Sequence, residues 1–252
     1  MPTRTNNTAP AEVRHSTATM TAVEIKDVIQ VAGVIDQAEA ELLVKSGVRY
    51  LGFPLRLPVH PEDLSEQAAA RIIRRLRPPT RAVLITYLDH AEEIVEFCRS
   101  LGAAVVQLHG DIDAAELQSI KAHHPRLTII KSLVIGRHSL EQLLEIIHLT
   151  APYVNAYITD TFDPQTGAAG ATGKTHDWRV SRECVRQSPR PVILAGGLHP
   201  ANVRDAILAV RPAGVDAHTG LEDGAGRKSA EKVKKFVAEA QAAFRLLREP
   251  TV

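Results

Sequence analysis

At 252 residues, 44% of them hydrophobic and 23% charged, the chain is long enough to bury one large core or two small ones. A formal net charge of +1 gives no global attraction to nucleic acid or to an anionic membrane, so a phosphate-sized ligand would need a local site. The two cysteines, Cys98 and Cys184, form no CxxC and no disulfide framework, which points to a reducing, cytoplasmic setting, and no apolar stretch approaches the roughly 20 residues of a membrane span.

Residues 1–25 are rich in Thr, Ala and Asn, with neither apolar periodicity nor the apolar core of a signal peptide. They read as a disordered tail, which leaves 26–252 as one folded unit. From Asp27 onward, short β-branched runs alternate with longer amphipathic segments. The strand candidates are "VIQVAG" (28–33), "RYLGF" (49–53), "AVLITY" (82–87), "AVVQLH" (104–109), "LTIIKSLV" (127–134), "VNAYITD" (154–160), "PVILAG" (191–196) and "GVDAH" (214–218). Each is mostly apolar rather than alternating, as parallel strands covered on both faces are.

Between the strands, Asp36-x-x-Glu39, Asp89-x-x-Glu92 and Asp113-x-x-Glu116 read as capping boxes, in which side-chain oxygens satisfy the first helical N–H groups. Gly47 and Gly102 sit where helices must stop. The final helix places Val233, Phe236, Val237, Ala240, Phe244 and Leu247 on one stripe and ends before Pro250. Eight strand–helix repeats without a break in composition predict an α/β fold, a single-domain (β/α)8 TIM barrel, with an open doubly wound sheet as the alternative. In a barrel the chemistry sits at the C-terminal ends of the strands.

The longest strand-end loop is "DTFDPQTGAAGATGKTHDW", 160–178. Its "GATGKT" is not a P-loop, because that pattern needs glycine at 168 and Ala168 stands there. Gly167, Gly170 and Gly173 suit a lid instead. Strand seven runs into Gly196–Gly197 and strand eight into Thr219–Gly220, the two places where barrels commonly bind a phosphate on backbone N–H groups. A side chain at 197 is expected to enter the space that an oxyanion needs.

Taken together and in order, "VVQLHGD", "YITDT…GATGKTHDW", "PVILAGGLHPANV" and "GVDAHTGLE" resemble the phosphoribosylanthranilate isomerase family of tryptophan biosynthesis. The match runs from strand one to the last helix. The resemblance implies an Amadori rearrangement of an N-(5-phosphoribosyl) aminobenzoate to its 1-deoxyribulose isomer, with no metal and no organic cofactor. On this reading a strand-six carboxylic acid, matching Asp160, protonates the furanose oxygen, and a strand-one cysteine thiolate removes the C2 proton. Gly173, Gly196, Gly197, Thr219 and Gly220 match the phosphate cradle, Asp216 a residue near the sugar, and Gln107 and His109 the lining of the substrate pocket.

Two positions depart from the family. Its strand one reads Lys-x-Cys-Gly where this chain has "QVAG": Gln30 replaces the lysine and Ala32 replaces the base. The family's arginine-bearing loop, which grips the aminobenzoate carboxylate, is shortened in "GFPLRLPVHPED" (52–63), where Arg56 or His60 is the candidate for that role. Asp36 could be offered as a replacement base, but its pattern with Glu39 reads as a helix cap. Other candidates for the base are His60, Tyr87, His109 and His218. Three readings stay open: a working isomerase with its base supplied elsewhere, a diverged enzyme acting on another phosphoribosyl compound, and a non-catalytic phosphosugar-binding paralogue. The sequence gives no oligomeric state.

Overall fold

A computed structural model of the protein describes residues 24–58, 62–162, 165 and 173–249. The expected N-terminal tail lies outside the described residues except for Glu24 and Ile25, as do His60 and the lid glycines Gly167 and Gly170.

The strands are β1 (Val28–Ala32), β2 (Tyr50–Pro54), β3 (Arg81–Thr86), β4 (Val105–Leu108), β5 (Thr128–Ile135), β6 (Ala156–Thr161), β7 (Val192–Leu194) and β8 (Gly214–Ala217). All pair in parallel and in chain order, and β8 returns to β1 to close the barrel, with Val28 opposite Gly214 and Gln30 opposite Asp216. Each strand is followed by a helix: α1 (Gln37–Lys45), α2 (Glu66–Ile73), α3 (Ala91–Leu101), α4 (Ala114–His123), α5 (Leu140–Thr150), α6 (Trp178–Gln187), α7 (Val203–Val210) and α8 (Ala230–Leu246). This is the closed (β/α)8 architecture and not the open sheet.

The two-residue period of a strand sends alternate side chains to opposite faces, and the apolar groups accordingly divide into two cores. Outward residues such as Ile29, Val31, Leu51, Leu84 and Val106 pack under the helices. Inward residues, including Val28, Ala32, Val83, Ile85, Val105, Ile130, Ile158 and Ile193, fill the barrel. The expected stripe of α8 is buried at Val233, Phe236, Val237, Ala240 and Phe244.

Helix ends follow local chemistry only in part. Asp36 caps α1 by accepting from the Glu39 amide at 2.8 Å, while the Glu39 carboxylate accepts from Ile35 N, one residue upstream of the expected box. The other two expected boxes do not form. His90, not Asp89, precedes α3, and its first amide, Ala91 N, donates to Glu116 of α4 at 2.6 Å. With Glu116 turned to its neighbour, Asp113 makes no side-chain cap bond to α4. Gly102 ends α3 at φ +82°, a left-handed conformation that suits glycine.

Candidate active site

The C-terminal ends of the strands surround a cavity of about 340 Å³ lined by residues from both ends of the chain, from Ala32 to Gly220. At its polar wall stands Asp160, the penultimate residue of β6 and 7% exposed. Burial pushes its carboxyl up to about 7, partly opposed by the Thr161 amide, which donates to Oδ1 at 2.8 Å. Such a group is close to half protonated at neutral pH, where a general acid works best. Asp216, inward-facing on β8, is also raised to about 7, by burial and then by the charge of Asp160.

A chain of side-chain amides runs beside these carboxyls. Gln30 Nε2 donates to Gln107 Oε1 at 2.8 Å, and Gln107 Nε2 lies 2.7 Å from His109 Nε2. An amide NH₂ can only donate, so His109 accepts at Nε2 and carries its proton on Nδ1, which lies 3.7 Å from Asp160 Oδ2. Burial, reinforced by Lys131, lowers His109 to about 4, so the ring is neutral. Tyr87 stacks on it with centroids 5.4 Å apart, and burial raises that phenol to about 12. Neither group is an effective base at neutral pH.

A direct prediction concerns Asp216. Its folded pKa lies above the unfolded value near 3.8, so the native state binds more protons between those two values. Its contribution to stability is therefore lost as pH rises from about 4 to about 7. At about 1.4 kcal/mol per unit, Asp216→Asn should gain on the wild type by a few kcal/mol over that window. Urea unfolding of both proteins at pH 4.5 and pH 7.5 checks this, and a constant difference between them would refute it.

Beyond β7 and β8 the cavity is lined by Gly173, Gly196, Gly197, Leu198, Thr219 and Gly220. The glycines are needed for chain crossings. Gly197 has φ +60°, and a Cβ there would lie 2.6 Å from the carbonyl carbon of Lys174 and 2.7 Å from Thr175 N. A Cβ at Gly196 would strike Thr161 and His176, and one at Gly220 would strike the Leu198 carbonyl oxygen. The expectation that a side chain at 197 enters the oxyanion's own space is corrected: it would first displace residues 174–175, which close over the glycine turn. Asn202 ties that turn down, accepting from His199 N at 2.8 Å and donating to Gly197 O at 3.0 Å. In the 3₁₀ turn Thr219–Leu221, the amides of Leu221 and Glu222 bond back to His218 and Thr219, so Thr219 and Gly220 stand at the turn's open N-terminal side.

Arg56 is not brought to the cavity. Its guanidinium is held by Glu66 at 2.8 Å and Glu93 at 3.1 Å and lies over the Phe97 ring, 3.8 Å from the centroid. Two carboxylates and a ring fix it on the helical layer, whereas Pro54 and Leu57 line the mouth. Asp36 is likewise a cap, paired with Arg227 at 2.6 Å. Sequence reasoning missed His176, which links β6 to α6 through Thr161 Oγ1 at 2.8 Å and Ser181 Oγ at 2.6 Å. It also missed that Lys228 is buried beneath the strand ends. The i, i+4 spacing of His218 and Glu222 was the available signal for the cluster that includes it. Among the described residues, no group of three or more His, Cys, Asp or Glu side chains is placed to hold a metal ion, and no helix is long and apolar enough to cross a membrane.

Comparison with known proteins bears on this geometry. Residues 27–239 match the family described as N-(5'-phosphoribosyl)anthranilate (PRA) isomerase. The chain is 38% identical over 221 residues to N-(5'-phosphoribosyl)anthranilate isomerase 2 of Methanosarcina mazei, an alignment covering 86% of this chain and 95% of that one. It is 34% identical to the corresponding isomerase of Haloferax volcanii over 85% of this chain and 93% of that one. Among solved structures, phosphoribosyl anthranilate isomerase of Thermotoga maritima superposes with a TM-score of 0.72 at 27% identity, covering 86% of this chain and 99% of that one. A phosphoribosyl anthranilate isomerase in complex with reduced 1-(o-carboxyphenylamino)-1-deoxyribulose 5-phosphate superposes with a TM-score of 0.70 at 26% identity, with the same coverage.

Proposed function

The chain belongs to the N-(5'-phosphoribosyl)anthranilate isomerase family, and we propose that it is a working isomerase that carries out the Amadori rearrangement of phosphoribosylanthranilate, in the cytoplasm and within tryptophan biosynthesis. The observation that carries this reading is the position of Asp160: a buried carboxyl raised to about 7, facing one cavity with the glycine turns of β7 and β8.

The 5'-phosphate lies against the amides of Gly197 and Gly220, with Gly173, Gly196 and Thr219 around it. This sets the ribose across the cavity toward Asp160 and Asp216. Asp160 delivers its proton to the furanose oxygen as the bond from that oxygen to C1 breaks, giving an open iminium. The aromatic ring extends toward Pro54, Leu57 and Tyr87, with Asp63 also lining that part of the cavity. Gln107, His109 and Gln30 hold neutral dipoles beside the reacting carbons.

Purified protein incubated with phosphoribosylanthranilate should convert it to the carboxyphenylamino-deoxyribulose phosphate, followed by loss of substrate fluorescence and mass-neutral change in retention time. Absence of turnover at millimolar substrate would overturn the reading. A non-catalytic paralogue is disfavoured because a pure binder has no use for a carboxyl buried near its own pKa.

A further inference from the structure

The proton at C2 needs an acceptor, and Ala32, at the strand-one position where the family keeps its base, has none. Two buried carboxyls line the cavity, Asp160 on β6 and Asp216 on β8. The β1–β8 ladder sets Asp216 directly opposite Gln30. Ala32 comes two residues after Gln30, so alternation gives it the same inward face, and Ala32 and Asp216 both line the cavity from neighbouring strands. The methyl of Ala32 fills less of that space than a thiol-bearing side chain would. A ribose can therefore settle deeper on this side, toward the Asp216 carboxyl.

Asp216 is placed as a base is, and not as a structural carboxylate. It is 8% exposed, and its Oδ1 is buried without a hydrogen-bond partner among the described residues. An unpaired buried acceptor costs stability, but it keeps a lone pair uncommitted, as a base must. A hydrogen bond from Gln30 and the charge of Lys228 favour the ionised form of Asp216, whereas at Asp160 the influence opposing burial is one neutral amide, Thr161 N–H. The charge of Asp160 also acts on Asp216. Two interacting carboxyls in one buried cavity do not readily ionise together, so near neutrality the pair holds one proton. With the negative charge drawn toward Lys228, the cavity presents an acid at 160 and a carboxylate at 216 at the same time.

We propose that Asp216 is the general base of the isomerisation, taking the C2 proton that a strand-one side chain would otherwise take. The assignment rests on the isomerase reading above. After Asp160 has opened the ring, the C2–H bond breaks toward the Asp216 carboxylate. Its electron pair forms the C1–C2 double bond as the iminium pair moves onto nitrogen, giving a neutral enolamine. Asp216 is then the carboxylic acid and Asp160 the carboxylate. Asp216 returns its proton to C1, and the C2 hydroxyl gives its proton to Asp160, directly or through water, as the carbonyl forms. The ketose leaves with both side chains in their starting states. His109 and Tyr87 are excluded from this role by a ring nitrogen already accepting from Gln107 and by a phenol that stays protonated.

The test is Asp216→Asn, assayed on phosphoribosylanthranilate with hydrogen or deuterium at C2, with affinity measured for the reduced carboxyphenylamino-deoxyribulose phosphate. A positioned base is worth about 10²–10⁴ in rate. The expected result is a kcat lower by about that factor, a C2 isotope effect larger than in the wild type, and an analogue Kd within about threefold. The same variant is expected to gain stability, so lost turnover would not be lost fold; Asp216→Ser serves the comparison if it melts early. Adding Ala32→Cys to Asp216→Asn should restore about tenfold or more, because a thiol then faces the cavity from the neighbouring strand. A wild type that turns over while Asp216→Asn keeps kcat within about threefold overturns the assignment and leaves the isomerase reading intact. So does a lower kcat with an unchanged isotope effect and no gain from Ala32→Cys, or a greater loss in His218→Gln than in Asp216→Asn. If the wild type does not turn over, both fall.

Discussion

Asp160→Asn should lower kcat on phosphoribosylanthranilate by about 10²–10⁴ and leave the affinity for the reduced product analogue within about tenfold, or about 1.4 kcal/mol. Asparagine keeps the size of the side chain and an oxygen that can accept from the Thr161 amide, which donates to Asp160 at 2.8 Å. What it lacks is a transferable proton. The reaction cannot begin without one, since ring opening precedes any step at C2, so the loss should exceed that of any other single change at the polar wall. The two carboxyls also differ in consequence. Asp160 is expected to act on kcat through ring opening, whereas Asp216, level with Gln30, is expected to act through the later step at C2 and to show in stability as well. Stopped-flow turnover with calorimetric binding separates these effects, and an asparagine variant within about threefold of wild-type kcat would remove Asp160 from the mechanism.

The second large effect is expected at the phosphate wall. Gly197→Val places a β-branched residue at φ +60° and drives its Cβ to within 2.6 Å of Lys174 C. Both problems are backbone problems and cannot be relieved by a rotamer change. Residues 174–175 must move away, and the turn held by Asn202 opens. Binding of the reduced analogue should weaken by about 100-fold, near 2.7 kcal/mol, while the barrel still melts cooperatively. Crystals of the wild type grown in phosphate should show an anion on the Gly197 and Gly220 amides. A valine variant that binds within about threefold of wild type would show that this turn is not the cradle.

The barrel was legible because parallel strands buried on both faces are written as uninterrupted apolar runs. All eight were placed in order, and the differences lie at their ends: β7 is Val192–Leu194, shorter than the run 191–196 suggests, because its last residues belong to the glycine turn. Local devices were read correctly where both partners lie in one turn of helix, as in the Asp36 cap. They failed where the partner came from elsewhere. The amide of Ala91 is satisfied by Glu116 from the next helix, and Arg56 was drawn to Glu66, Glu93 and Phe97 and not to a ligand. The positions of Asp160 at the end of β6 and of the glycine turns after β7 and β8 were legible from their motifs, since each lies within a single strand–loop unit. The chain of amides was not, because Gln30 reaches Gln107 only when the barrel folds. The same holds for Lys228, which meets Gly33 from the far end of the chain.

Because the ladder closes by setting Val28 against Gly214, the first strand leaves the ribosome about 190 residues before its second neighbour exists, an interval of roughly ten to forty seconds at ordinary rates of synthesis. Throughout that time the sheet has two open edges, each offering unpaired backbone groups to any other extended chain. Gln30 and Asp216 come together only at the moment these edges disappear, so the nascent protein completes the lining of its cavity and gains its protection from edge-to-edge aggregation in one event. Chains arrested before residue 214 should therefore be both inactive and dependent on chaperones, and release of the final strand should relieve both conditions together.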